Sequence, residues 1–171
     1  MKVMLDNGSE KRETGYVLET PLEYTAIVNI KKLDENAVVP KRGSDYAAGY
    51  DLFAHIDMDE LAITPHTTVK VGTGVAMEIP EGYFGAIYAR SGLATKKGIR
   101  PANAVGIVDS DYRGELFVAL HNDTDEYQTI SNGERIAQIV ITPFLPVQFN
   151  EVDELSTTER GAGGFGSTGE K

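Results

Sequence analysis

From Thr25 onward, apolar and polar positions fall in short β-like segments separated by turn signals. Residues 25–30 are rich in β-branched side chains, and residues 67–71 alternate until Gly72 and Gly74 interrupt them. Residues 83–88 follow the turn signal Pro80-Glu81-Gly82, and Leu116, Val118 and Leu120 alternate with Phe117, Ala119 and His121. Residues 135–142 read as a near-continuous apolar strand. Glycine and proline recur too often for a long amphipathic helix. Only residues 91–97, stopped by Gly98, predict one or two helical turns. Many short strands at regular spacing predict an all-β sandwich, jelly roll or small barrel with one short helix.

Both ends depart from that pattern. Residues 1–24 are polar and weakly patterned, with breakers at Asp6-Asn7-Gly8 and Thr14-Gly15, and read as a flexible or loosely packed extension without an assignable role. From Ser156 the composition turns to STTERGAGGFGSTGEK, a Gly-rich stretch that cannot order itself. The expected division is therefore an extension (1–24), one core (25–155) and a tail (156–171), with no internal repeat and no second domain. The tail reads as a frayed terminus or as a lid. Arg160 and Phe165 favour the lid, because specific side chains are useful there only if the segment closes over a ligand.

Composition narrows the function classes. A chain of 171 residues is expected to form one domain that buries roughly 70% of its unfolded surface. No apolar run approaches the ~20 residues of a membrane span. The N-terminus, MKVMLDNGSEKRETGY, lacks the apolar core of a signal peptide, so export is not expected. The absence of cysteine excludes disulfides, thiolate metal sites and a cysteine nucleophile, which fits a cytoplasmic protein. A net charge of −10, from 16 basic and 26 acidic residues, repels a nucleic-acid backbone, and no basic stripe offsets it. A small anion is a different matter, because mean charge does not fix the potential inside a cleft where arginines meet.

Several residues stand out against this background. Asp109 and Asp111 flank Ser110 in a turn between two strands; they read as a metal clamp or as ordinary turn carboxylates. Arg90-Ser91-Gly92 follows a strand and opens the helical turn. A guanidinium, a hydroxyl and backbone N–H groups there make a phosphate site, or else an exposed arginine with a Ser N-cap. Gln138 lies inside an apolar strand, where a polar side chain needs a partner. Tyr112 is a strand-end aromatic. The tail run from Gly161 to Thr168 imitates P-loop glycine spacing, but Ser167 stands where the lysine belongs and no helix can follow, so a Walker site is rejected.

Five segments hold these residues: AAGYDLFA (47–54), ARSGLA (89–94), NAVGIVDSDYRGEL (103–116), GERIAQIVI (133–141) and RGAGGFGSTG (160–169). In order and content they resemble the five motifs of the trimeric dUTP diphosphatases, the dUTPases, from about Ala26 to Thr168. The resemblance implies a jelly roll that hydrolyses dUTP to dUMP and diphosphate, with Mg²⁺ held by the substrate phosphates and waters rather than by direct protein ligands. It implies that Asp109 is the general base, while Asp111 stays a turn residue. Asn103, with the hairpin main chain of Gly106, Ile107 and Val108, would read uracil, and Tyr112 would pack under deoxyribose. Arg90, Ser91, Gly92 and Gln138 would meet the phosphates. From the tail, Arg160 and the Ser167 and Thr168 hydroxyls, with Gly166, would reach the terminal phosphates, and Phe165 would stack over uracil. Asp51 would support, holding Arg90 or metal-bound water, and Arg135 would be a structural hydrogen-bonder. The resemblance also implies a homotrimer whose sites draw the first, second and fourth motifs from one subunit, the third from another and the tail from the third. Two rivals share the fold: dCTP deaminase, whose catalytic glutamate position is Ala119 here, and phage relatives that also act on protein partners, a role the extension could serve.

Overall fold

The computed structural model describes residues 26–164; the expected extension at 1–24 and tail residues Phe165, Gly166, Ser167 and Thr168 lie outside them. The described residues form β1 (Asn29–Lys32), β2 (Lys41–Arg42), β3 (Tyr50–Phe53), β4 (Glu60–Ile63), β5 (Thr68–Glu78), β6 (Tyr83–Tyr88), α1 (Ser91–Lys97), β7 (Ile99–Pro101), β8 (Gly106–Val108), β9 (Glu115–Asn122), β10 (Gln128–Ser131) and β11 (Arg135–Pro143). One sheet has the order β1-β5-β9-β7 and the other β2-β3-β11-β6-β8, while β10 and β4 form a two-stranded ribbon. The result is an all-β jelly roll with one short helix.

The core lies between the sheets, where Val71, Leu116, Val118 and Leu120 of one meet Leu52, Ile87 and Ile139 of the other. In β9 the inward residues are those the alternation predicts, with Phe117 turned outward beneath Lys70 Nζ, 3.8 Å from the ring centroid. Asn122 ends this strand fully buried. Its Nδ2 donates to the carbonyls of Ile63 and Glu126 (3.0 and 2.7 Å), and its Oδ1 accepts from Thr124 N and Oγ1. Every bonding position of the amide is therefore used, which removes the cost of burying it.

Two strands differ from expectation. β5 does not stop at Gly72; it runs on to Glu78 through a register shift between Gly72 and Ala76 against β9. Gly74 adopts φ 65 there, and the buried Thr73 hydroxyl donates to Leu116 O at 2.8 Å, so the glycines make a bulge rather than a break. β1 begins at Asn29 because its partner ends: Asn29 pairs with Glu78, and beyond Glu78 the chain turns at Pro80. The helix follows the prediction, with Gly98 left-handed at φ 64 as its C-terminal stop. After Pro143 the chain is irregular, and Leu145, Val147, Phe149 and Leu155 stand well exposed.

Candidate active site

Strand register assembles the first cluster. Asp51 of β3 lies opposite Gln138 of β11, and Gln138 lies opposite Tyr88 of β6, so one row crosses three strands just before the chain leaves β6 for Ala89 and Arg90. Gln138 Nε2 donates to Ala89 O at 3.0 Å, which answers the question of its partner. A Cβ at Gly49 would meet Gln138 Oε1, so a larger residue there would push the amide aside. Arg90 turns back over the row and donates Nε to Asp51 Oδ1 at 2.7 Å, while Arg135 Nη1 reaches Asp51 Oδ2 at 3.3 Å. The Asp51 side chain is only 13% exposed and Arg90 only 27%, so their pair is less screened than the open Arg100–Asp123 pair, while the half-exposed Arg135 adds less. With both oxygens on guanidinium groups, Asp51 fixes the direction of Arg90, and Arg135 is the hydrogen-bonder expected.

The helix N-cap is Arg90, with extended φ −83 and ψ 129, rather than Ser91, and no side chain caps the first turn. Ser91 is thus the first helical residue, and a Cβ on Gly92 would meet only open space. Arg90, Gly92, Lys96, Lys97, Glu134 and Arg135 line a cleft of about 300 Å³. Lys97 Nζ is committed to Glu134 Oε1 at 2.9 Å. Four cations thus gather around two carboxylates, Asp51 and Glu134, in a chain that is acidic overall, so the cleft carries a local excess of positive charge that suits an anion.

The second cluster is the loop joining β7 to β8, together with the turn that follows β8. β7 pairs with β9 in one sheet and β8 with β6 in the other, so residues 102–105 bridge the two sheets. The turn is tight: Ala104 adopts φ 59, and Val105 N donates to Asn103 O at 2.6 Å. A Cβ on Gly106 would lie 3.2 Å from Ile87 Cβ, so a larger residue there would press on β6, while the Asn103 amide lies close by. Val108 is buried, whereas Ile107 is 59% exposed on the opposite side. Asp109 follows at the strand end, exposed and without a side-chain partner among the described residues, and so does Asp111. Tyr112 lies over Gly114 and donates its hydroxyl to Glu115 O at 2.9 Å.

The two clusters do not meet within one chain. Gly85 pairs with Val108, so continuing the register puts Asp109 level with Phe84, six positions before Arg90, which lies two residues past the end of β6. At the rise of an extended strand this is about 20 Å. Arg160, the one tail candidate among the described residues, donates Nε to Gly163 O at 2.9 Å and touches neither cluster. Among the described residues no three His, Asp or Glu side chains gather as a metal cage, and Asp51 is occupied by arginines. Two residues that the motif reading left unassigned, Lys96 and Arg113, border the clusters. Lys96 shares a helix face with Gly92 four residues away, a signal that was present in the sequence.

The family model for dUTPase matches residues 35–169. The deoxyuridine 5'-triphosphate nucleotidohydrolase of Hydrogenobaculum sp. (strain Y04AAS1) is 51% identical over 142 residues, 83% of this chain and 97% of that protein. Among solved structures, a mutant Staphylococcus bacteriophage 80alpha dUTPase with dUpNHpp superposes with a TM-score of 0.76 at 31% identity, covering 85% of this chain and 99% of that one. A mutant dUTPase from phage phi11 of S. aureus, described with a structural Mg(II) ion, gives a TM-score of 0.69 at 25% identity over 77% of this chain and all of that one.

Proposed function

The chain belongs to the dUTPase family, and from that premise we propose how it hydrolyses dUTP to dUMP and diphosphate. Water held by Asp109 attacks the α-phosphorus, the carboxylate takes its proton, and the bond to the bridging oxygen breaks so that diphosphate leaves. Arg90, aimed by Asp51, stabilises charge on the phosphate oxygens together with Ser91, Gly92 and Gln138. Mg²⁺ would add charge neutralisation on those same oxygens. Asn103 and the backbone of Gly106, Ile107 and Val108 take the uracil edge. Tyr112 packs against deoxyribose and excludes a 2′-hydroxyl. Arg160, Phe165, Gly166, Ser167 and Thr168 act from the tail.

The observation that carries this reading is the pairing of a basic cleft built on Asp51 with an exposed, unengaged carboxylate, Asp109, that the same chain holds far from it. A site needing both must take them from two chains. This supports a homotrimer with shared sites. The exposed apolar side chains after Pro143 support it too, as does an open groove of about 560 Å³ lined by residues such as Val28, Ile30, Met77 and Ile139. Nothing in this chemistry needs a membrane or polymeric nucleic acid, and no helix among the described residues is long and apolar enough to cross a bilayer. A cytoplasmic site of action belongs to the same proposal. Ala119 offers no carboxylate for deamination of dCTP.

The test is diphosphate release from dUTP, dCTP, dTTP and UTP by the wild type and by Asp109→Asn. The wild type should act on dUTP far above the others. The variant should bind dUTP with Mg²⁺ but not turn over, since an amide cannot accept the proton. Near-normal hydrolysis by the variant removes Asp109 from the role of base.

A further inference from the structure

The base sits in a turn that its own side chain does nothing to hold. Asp109 has no side-chain partner among the described residues, and the turn behind it is closed by one backbone bond, Tyr112 N to Asp109 O, at 3.2 Å. The direction of the carboxylate is therefore set by how firmly residues 109–113 are fixed from outside. Arg113 supplies the fixing. Its Nη1 donates to Ser110 O at 2.6 Å and to Tyr112 O at 3.0 Å, so one guanidinium nitrogen bridges both sides of the turn. Its Nη2 points to Glu78 Oε1 at 3.4 Å, and Glu78 Oε2 accepts from Asn29 Nδ2 at 2.7 Å. Because Asn29 and Glu78 are paired residues of β1 and β5, the turn is tied to the edge of the four-stranded sheet.

The energy of the ion pair cannot be the point. Both side chains are more than half exposed, and an open pair at this distance contributes about 0–1 kcal/mol. The geometry is specific instead: a planar guanidinium reaches two carbonyls and a carboxylate at once, which the single ammonium of lysine cannot reproduce. We infer that Arg113 is a positioning residue for the general base, holding the 109–112 turn so that Asp109 meets the attacking water. The inference rests on Asp109 as the base.

Steady-state kinetics on full-length Arg113→Gln and Arg113→Lys, with binding of dUpNHpp and thermal melting alongside, test it. Arg113→Gln should lower kcat about tenfold, since small misplacement of a reacting group is costly. KM and dUpNHpp affinity should change much less than kcat, because the uracil and phosphate contacts lie on other residues and the Tyr112 ring keeps its own bond to Glu115 O. Arg113→Lys should recover only part of kcat. An unchanged kcat in Arg113→Gln overturns the inference. So does a loss of kcat matched by an equal loss of dUpNHpp affinity, because that pattern reports damage to the whole nucleotide-binding loop. Asp109→Asn assayed in parallel separates the two levels. Hydrolysis surviving there removes the base itself, whereas an inactive Asp109→Asn beside a fully active Arg113→Gln removes only the role of Arg113.

Discussion

Consider two inactive variants, Asp109→Asn and Arg90→Gln, mixed in equal amounts and allowed to exchange subunits. Within one chain the β6–β8 register holds these residues six strand positions apart, about 20 Å. A base must sit within hydrogen-bond reach of the water it deprotonates, and that water within about 3–3.5 Å of phosphorus. One triphosphate gripped by Arg90 cannot present its α-phosphorus to the Asp109 of the same chain. Each site then takes Arg90 from one subunit and Asp109 from a neighbour. In randomly assembled oligomers each contributor is intact half the time, so about one quarter of the sites carry both and about one quarter of wild-type activity returns. Arg90→Gln should remain folded, since Asp51 keeps its bond to Arg135 and the lost charge-assisted bond costs about 1.5–3 kcal/mol locally. The assay is diphosphate release at saturating dUTP, with mixed oligomers verified by differently tagged subunits and native mass spectrometry. Verified mixtures no more active than the two parents added together would refute the shared site.

Three other outcomes follow from single contacts. Tyr112→Ala should raise hydrolysis of UTP relative to dUTP about tenfold by opening space for a 2′-hydroxyl; an unchanged ratio of kcat/KM values would remove Tyr112 from sugar selection. Truncation after Glu159 should leave the melting temperature nearly unchanged, because Arg160 bonds only within the tail among the described residues, yet should cut kcat/KM by about 10²-fold or more; a large drop in melting temperature would instead make the tail part of the fold. The hydrogen-bonded Arg100 guanidinium holds the Asp123 carboxyl below its ordinary value of 3.8, so this pair stabilises the fold above that pH and loses its effect as pH falls through the lowered value. The melting-temperature gap between wild type and Asp123→Asn should therefore be small but present at neutral pH and close in acid, and a gap that widens in acid would contradict it.

What could be read from residue order alone follows a physical line. β9 and α1 are local: alternation places Leu116, Val118 and Leu120, and a left-handed Gly98 stops the helix, without reference to any other segment. β5 resisted because Gly72 and Gly74 carry the same local signal whether they break a strand or bulge it. The choice is made by Thr73 bonding to Leu116, 43 residues away. The Asn29–Glu78–Arg113 tie was likewise out of reach, since it depends on which residue of β1 faces which residue of β5.

The candidate site divides along the same line. Side chains that suit phosphate, uracil or a proton could be named from their chemistry and from the motif resemblance. Whether they meet is decided by register, and register separates Asp109 from Arg90 even though Gly85 and Val108 are direct neighbours. An antiparallel pair carries its two chain ends in opposite directions, so residues placed just past β6 and just past β8 must diverge. With Asp109 as the base and Arg90 as the phosphate-gripping arginine, as proposed, the two ends of this strand pair would not complete a site alone. Assembly would then be a condition of catalysis under the proposed mechanism, and an exposed Asp109 is what an isolated chain would display.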